Sequence, residues 1–249
     1  MTMLNYEFEG VGETVVLLHS GVCDLRQWDP QWSGLTSRFR TFRIDFSGFG
    51  QSQLNGAESQ DSDEVLAVLD EMGVTDAVFV GSSYGGRVAQ EIAIIDPSRV
   101  KKMILVCSAT EGIPPTQSIV EYGAKEEIYI KAGDFDAATT LNVETWLGPK
   151  ASEKVKSEVW KMQRNAFNVY LKNPTHRKLR VAIDPTQFLC PTVIITGLHD
   201  FDYFEIIGDH LSNLVPDSVR ISLEWAGHLP NLERPIEFEE LLISLIVNQ

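Results

Sequence analysis

Ser83 stands at the centre of Gly81-Ser82-Ser83-Tyr84-Gly85, a G-x-S-x-G pentapeptide between the apolar run Ala77-Val78-Phe79-Val80 and a helical stretch beginning at Tyr84. A serine at the tip of a tight strand-to-helix turn has strained backbone geometry. Flanking glycines let strand and helix approach, so the hydroxyl projects into open space as a nucleophile. A serine is a weak nucleophile unless a base takes its proton and a third group orients that base. Pro191-Thr192-Val193-Ile194-Ile195-Thr196-Gly197 reads as a buried strand ending in Leu198-His199-Asp200, which places a carboxylate just beyond the strand. Ser218-Val219-Arg220-Ile221-Ser222-Leu223 alternates as a strand does and leads into Trp225-Ala226-Gly227-His228-Leu229-Pro230, a loop carrying a histidine. Ser83, Asp200 and His228 are the candidate nucleophile, acid and base. Asp202 is the competing acid, and Asp200 is preferred because it directly follows the Gly-x-x pattern at the strand end. His176, His199 and His210 receive no role.

The elements that must position these groups alternate between two periods. Short β-branched and apolar runs, at Leu4 to Glu9, Thr14 to Leu18, Thr41 to Asp45, Ala77 to Val80, Lys102 to Val106, Thr192 to Ile195 and Val219 to Leu223, read as strands. Helical-period segments intervene at Trp28 to Phe39, Ser62 to Met72, Tyr84 to Ile95, Phe204 to Leu214 and Ile236 to Ile246. Such alternation predicts a mostly parallel sheet of about seven strands with helices on both faces.

One interval breaks the alternation. Between Thr110 and Leu189 no strand is evident. Pro114-Pro115 is followed by helical patterns at Gln117 to Ala132, Asp136 to Trp146 and Glu153 to Lys172. This is too long and too helical for a simple connection. The expected organisation is an α/β core from residues 1–109 and 190–249 with an inserted helical cap at 110–189. Of the cap's large side chains Trp146, Trp160, Met162, Phe167 and Tyr170, most are expected to pack the cap on the core, with Trp146, Phe167 and Tyr170 the candidates for a substrate pocket.

Composition bounds the rest. The chain has 249 residues, 43% of them hydrophobic and 22% charged, which suits a soluble globular domain. With 21 Lys plus Arg against 35 Asp plus Glu, the net charge of −14 argues against nucleic acid or an anionic membrane as partner. No basic stretch followed by an apolar run opens the chain, and no apolar run reaches the roughly 18 residues of a membrane span, so a cytoplasmic location is expected. Cys23, Cys107 and Cys190 are widely spaced and fit reduced, buried filler thiols. Histidines and cysteines lack metal-ligand spacing along the chain. Gly48 and Gly50 are followed by no P-loop lysine and no G-x-G-x-x-G opens a helix, so no metal, nucleotide or other cofactor is expected.

Over essentially its whole length the chain resembles the α/β-hydrolase superfamily. The resemblance is carried by His19-Ser20-Gly21, Asp45-Phe46-Ser47-Gly48-Phe49-Gly50-Gln51-Ser52, Gly81-Ser82-Ser83-Tyr84-Gly85-Gly86, Gly197-Leu198-His199-Asp200, and Gly227-His228-Leu229-Pro230-Asn231-Leu232-Glu233-Arg234-Pro235. The order Ser83, Asp200, His228 is that superfamily's order, unlike those of chymotrypsin or subtilisin types. The cap phrase Gly133-Asp134-Phe135-Asp136-Ala137-Ala138 is similar to the capped esterases and enol-lactonase-like members. Two departures stand out: Ser20 occupies a position where relatives commonly carry glycine, and the N-terminus has room for one strand where many relatives have two.

The resemblance implies an α/β-hydrolase fold and acyl-enzyme chemistry. Ser83 would attack a carbonyl carbon, His228 would shuttle its proton and Asp200 would orient the imidazole. The oxyanion would be held by the backbone N–H groups of Tyr84 and Val22. His19 would hold the oxyanion loop by hydrogen bonding. The motifs do not fix the substrate; the cap's apolar and aromatic residues and the net negative charge point to a small to medium, largely uncharged ester or lactone, with the protein a monomer or homodimer. Arg87, Arg164, Arg177 and Lys178, in or near the cap, keep a carboxylate-bearing lactone as an alternative. C–C bond hydrolysis, perhydrolysis and slow-turnover ligand binding are the rival functions.

Overall fold

The computed structural model describes residues 4–54 and 56–247. Met1 to Met3, within the stretch read for an export signal, lie outside the described residues. In chain order the strands are β1 (Tyr6–Glu9), β2 (Thr14–Leu18), β3 (Arg40–Ile44), β4 (Glu58–Ser59), β5 (Ala77–Ser82), β6 (Val100–Val106), β7 (Arg177–Lys178), β8 (Thr192–Gly197) and β9 (Ser218–Leu223). The helices are α1 (Asp29–Thr36), α2 (Asp61–Glu71), α3 (Tyr84–Ile95), α4 (Gln117–Ala132), α5 (Phe135–Trp146), α6 (Glu153–Lys172), α7 (Asp202–Leu214), α8 (Pro230–Glu233) and α9 (Pro235–Val247). Seven strands form one sheet in the order β1-β3-β2-β5-β6-β8-β9, with only β1 antiparallel. This is the mostly parallel, helix-flanked sheet that the resemblance implied.

Successive side chains of a strand point to opposite faces, and the central strands are apolar on both. Val16 and Leu18 of β2, Phe79 of β5, Met103 and Leu105 of β6 and Ile194 of β8 join one core cluster with residues of α2, α3 and α7. Their neighbours Val15, Leu17, Val78, Val80, Ile104, Val106 and Ile195 join another with Leu35 of α1 and Phe238, Leu242 and Ile246 of α9. Each such large side chain contributes about 2 kcal/mol by leaving water, and Leu242→Ala would cost about 3 kcal/mol by opening a cavity under β5 and β6. The two covered faces hold the sheet rigid, so the loops at its C-terminal edge start from fixed points.

Helices α4, α5 and α6 occupy the connection from β6 to β8. Asp134 caps α5 by accepting from the Ala137 N–H, and Ser152 caps α6 by accepting from the Val155 N–H. On α6, Val159, Met162, Gln163 and Phe167 are buried at helical spacing. Val143, Leu147, Val159 and Met162 pack with Cys23, Leu229 and Leu232 in a third, smaller cluster that seats the insertion on two core loops.

The expectation of no strand between Thr110 and Leu189 is corrected at β7. Its two residues pair in parallel with β4, Glu58 opposite Arg177 and Ser59 opposite Lys178. Two residues are too few to show a period, and the pairing is formed by tertiary proximity, with Lys178 Nζ 2.6 Å from the buried Asp61 carboxylate. Among the described residues, no helix is long and apolar enough to cross a membrane.

Candidate active site

Ser83 links β5 to α3 with φ 51° and ψ −110°, one of two non-glycine residues with positive φ among those described. A non-glycine residue there costs about 1–3 kcal/mol and persists only where its surroundings impose it. They do: the Ser83 N–H donates to the Val106 carbonyl at 2.8 Å, and its carbonyl accepts from Ala109 N–H at 3.0 Å and Gly86 N–H at 3.0 Å. The two glycines of the pentapeptide are forced by space. A Cβ on Gly81 would sit 2.4 Å from the Gly85 carbonyl oxygen, and one on Gly85 would sit 2.3 Å from that of Leu18. Strand β2, strand β5 and helix α3 therefore meet backbone to backbone, and the serine is carried at their junction.

Asp200 and His228 arrive from the ends of β8 and β9. His228 Nδ1 lies 2.6 Å from Asp200 Oδ2, with side-chain exposures of 3% and 1%. The acid is fixed in turn, its Oδ1 accepting from the Phe201 N–H at 2.7 Å. With Nδ1–H donated to a carboxylate, the imidazole keeps Nε2 as the acceptor. Its ring packs against both Trp146 and Phe204, whose centroids lie 4.6 Å and 4.3 Å away. Asp202, the competing acid, instead opens α7 and accepts from Thr116 and Ser118 hydroxyls at 2.8 Å and 2.7 Å. Those bonds hold its carboxyl below the usual range and tie the insertion to the core. Ser83 and His228 line one cavity, and among the described residues no hydrogen bond joins them.

The loop after β2 forms the other wall. His19 is fully buried, its Nδ1 2.7 Å from the Ser20 carbonyl and its Nε2 accepting from the Phe46 N–H at 3.1 Å. Burial pulls its pKa down, so it acts here as a neutral clamp between the Ser20 carbonyl and the Phe46 N–H. The Ser20 N–H donates to Gln27 Oε1 at 2.8 Å, and Gln27 Nε2 reaches Asn231 Oδ1 at 3.2 Å. This buried amide pair joins the loop after β2 to the segment that follows His228. Sequence reading missed Gln27 and gave Asn231 no role, although the latter stands three residues after His228 in a quoted motif.

Tyr84 N–H is the first of α3 and has no intrahelical acceptor, which suits it to a developing negative charge. The Tyr84 side chain is anchored, its hydroxyl donating to Asp61 and accepting from Arg180. Val22 differs. Its N–H donates to Ser20 Oγ at 3.3 Å, a long bond made by the residue that replaces glycine. The Val22 donor is thus engaged before any substrate arrives.

The cavity over Ser83 measures about 270 Å³ and is lined by Ser20, Val22, Tyr84, Trp146 and His228 among others. Trp146 is among the residues that line this cavity. Phe167 and Tyr170 do not line it: Phe167 is buried against Phe135 at 5.7 Å between centroids, and Tyr170 is 52% exposed. Those two expectations are corrected, because the cavity-facing side of α6 is set by how the helix rolls against α5. Tyr122, Glu126, Asn142 and Gln163 line the cavity in their place, and sequence reading missed all four. The available signal was the i,i+4 pairing of Tyr122 with Glu126 and of Asn142 with Trp146, two polar stripes on adjacent helices.

The four cations named near the cap are spent elsewhere. Arg87 pairs with Glu91 at 2.9 Å, Arg164 with Asp136 at 2.6 Å, Lys178 with Asp61 at 2.6 Å, and Arg177 with Glu58. None lines the cavity. Asp45 is likewise committed, accepting from the N–H groups of Leu25 and Gln51 and from the Asn5 amide, so the stretch around Gly48 and Gly50 is a closed turn.

All three described cysteines are free and buried, as filler thiols are. Space nevertheless brings Cys107, Asp200 and His228 together, one ligand atom from each within 4.8 Å, a grouping that spacing along the chain does not reveal. Burial and the Asp200 charge push the Cys107 thiol well up, and Sγ donates to the Gly227 carbonyl at 3.6 Å. A protonated thiol of this kind is a poor metal ligand.

Comparison with known proteins agrees with this geometry. A model of the alpha/beta hydrolase family matches residues 15–241. The chain is 34% identical, over 261 aligned positions covering 98% of each protein, to a pimeloyl-[acyl-carrier protein] methyl ester esterase of Pectobacterium atrosepticum. It is 23% identical to the (E)-2-((N-methylformamido)methylene)succinate hydrolase of Acinetobacter baylyi, over 93% of this chain and 89% of that one. The solved enol-lactonase from Burkholderia xenovorans superposes with a TM-score of 0.81 at 20% identity, covering 98% of this chain and 96% of that one. A family match running from β2 to α9, around a strained serine at the end of β5, establishes that the chain belongs to the alpha/beta hydrolase family.

Proposed function

We propose that this esterase-type hydrolase cleaves a small carboxylic ester or lactone through an acyl-enzyme on Ser83, with His228 as base and Asp200 as its orienting acid. The observation that carries the reading is the buried 2.6 Å contact between His228 and Asp200 beside a serine held in strained geometry, with His228 and Ser83 opening on one cavity. Ser83 Oγ attacks the carbonyl carbon as His228 Nε2 accepts its proton. The tetrahedral oxyanion lies against the N–H groups of Tyr84 and Val22, the second released from Ser20 Oγ as the charge forms. His228 then protonates the leaving oxygen, and water repeats the sequence on the acyl-enzyme. The chemistry draws only on groups of the chain, and the reading assigns no cofactor.

In this reading residues 110–189 act as a cap over a core of residues 1–109 and 190–249, and substrate enters between them. A cavity of about 270 Å³ suits acyl groups from acetyl to hexanoyl. The 34% identical relative is named for a methyl ester, which supports a short alkyl leaving group as well as an aryl one. Cation-free lining argues against a carboxylate-bearing lactone, and also against C–C hydrolysis, which would need arginine or further histidine side chains aimed at Ser83. The protein is proposed to act in the cytoplasm as a monomer or homodimer.

The test is covalent labelling. Treatment with a fluorophosphonate should add one phosphonyl group to the intact protein, mapped to the peptide containing Ser83, and aryl acetate to hexanoate esters should be hydrolysed faster than long-chain ones. Labelling at any other residue, or esterase activity that survives in Ser83→Ala, would remove the nucleophile assignment.

A further inference from the structure

We infer that the substrate carries a hydrogen-bond donor, a hydroxyl or an N–H, on the portion facing the insertion, where Glu126 of α4 accepts it beside Gln163 of α6. This rests on the esterase reading of Ser83 and names the substrate class of that site. The wall opposite the nucleophile is polar, formed by Tyr122, Glu126, Asn142 and Gln163. Much of its bonding capacity is already used. Asn142 Nδ2 donates to Glu126 Oε1 at 2.6 Å and to the Ala138 carbonyl at 2.9 Å, which spends both amide hydrogens. Asn142 Oδ1 accepts from the Tyr122 hydroxyl at 2.7 Å and from Trp146 Nε1 at 3.1 Å.

What remains is an acceptor set. Glu126 Oε2 has no partner among the described residues, whereas Oε1 is taken by Asn142 at 2.6 Å. Gln163 is 6% exposed, its side-chain amide bonds nothing in the described chain, and its Oε1 is buried without a partner. An amide left unsatisfied at that depth is costly unless a ligand completes it. The Gln163 amide presents either its carbonyl or its NH₂, but a carboxylate only accepts, so Glu126 decides the polarity of the pair. No lysine or arginine lines the cavity to turn Glu126 away or to receive a substrate anion. A substrate hydroxyl donates its proton to Glu126 and accepts from the Gln163 NH₂, an N–H donates to Glu126, and a carboxylate there meets a like charge.

Matched methyl esters test this: β-hydroxybutanoate and ω-hydroxyhexanoate, their deoxy parents, β-methoxybutanoate, which accepts but does not donate, and the methyl half-ester of succinate. For at least one hydroxy ester kcat/KM should exceed that of its deoxy parent about tenfold, the effect of one hydrogen bond to a charged group. The methoxy ester should show no such gain, and the half-ester should be the slowest. Glu126→Gln and Gln163→Leu should each pull the hydroxy-to-deoxy ratio towards one. Loss of support for Trp146 and His228 would slow both members of a pair alike and leave the ratio standing. Phosphonate labelling of Ser83 in both variants checks that the site is folded. A ratio near one in the parent protein, or an unchanged ratio in both variants, overturns the inference. Failure of every ester together with absence of a Ser83 adduct would instead overturn the esterase reading beneath it.

Discussion

Strands β5 and β8 are buried at every residue, whereas α4, which forms the opposite wall of the same cavity, has no fully buried residue. The serine turn and the acid grow from those strands. The polar groups facing them grow from α4, α5 and α6. Close packing makes the sheet edge intolerant of displacement, which suits groups that must keep hydrogen-bond geometry within a few tenths of an ångström. The insertion is seated by a small cluster and by bonds such as those from Thr116 and Ser118 to Asp202, so its contacts are fewer and more polar. In the proposed reading the contrast separates two tasks: the sheet edge carries bond-making groups, and the insertion carries groups that choose what is brought to them.

If that division holds, losses in rate should be largest at the sheet edge. Ser83→Ala should lower kcat by about 10⁶, the scale of removing a nucleophile from a serine hydrolase, with unfolding by urea unchanged. A loss below a hundredfold would break the comparison at its root. Asp200→Asn should cost about 10⁴ because Nδ1 would lose its acceptor and the imidazole its tautomer, while Asp202→Asn should cost less than tenfold and act through the seating of α4. Equal losses at the two aspartates, measured on one aryl ester, would mean that core and insertion are not separable. Phe167→Ala should destabilise by about 3 kcal/mol in denaturant unfolding, and Tyr170→Ala by no more than about 0.5 kcal/mol, since only the first is packed. A change in acyl-chain preference from Tyr170→Ala would return that residue to the pocket. Smallest is Ser20→Ala, which frees the Val22 N–H from its 3.3 Å bond and should raise kcat about twofold. A fall in kcat would show instead that the Ser20 hydroxyl supports the transition state.

The groups legible in the sequence share one property. Ser83, Asp200, His228, Val22 and Tyr84 each lie within a few residues of a strand's C-terminal end, so a strand pattern followed by a small or polar turn locates them without knowledge of what lies across the sheet. The seven strands were legible for a related reason, since a short run of β-branched and apolar residues bounded by turns is a local signal. Four of the pocket residues were not. Glu126, Asn142 and Gln163 have the composition of a solvent-facing helix surface, and Tyr122 that of an ordinary packing aromatic.

By itself, then, the sequence determined the alternation of strands and helices and the turn that carries Ser83, and it offered Asp200 and His228 from the ends of two later strands, because these depend on backbone geometry and burial over a few consecutive residues. Tertiary structure decided which acid meets His228, that Phe167 packs on Phe135 instead of facing substrate, that Ser20 engages Val22, and that the four cations near the cap are paired away from the cavity. The physical reason is that a helix's period marks its buried side but not the neighbour that buries it. The roll of α4, α5 and α6 against one another and against the sheet edge is set by long-range packing, and that roll chooses which side chains see the substrate.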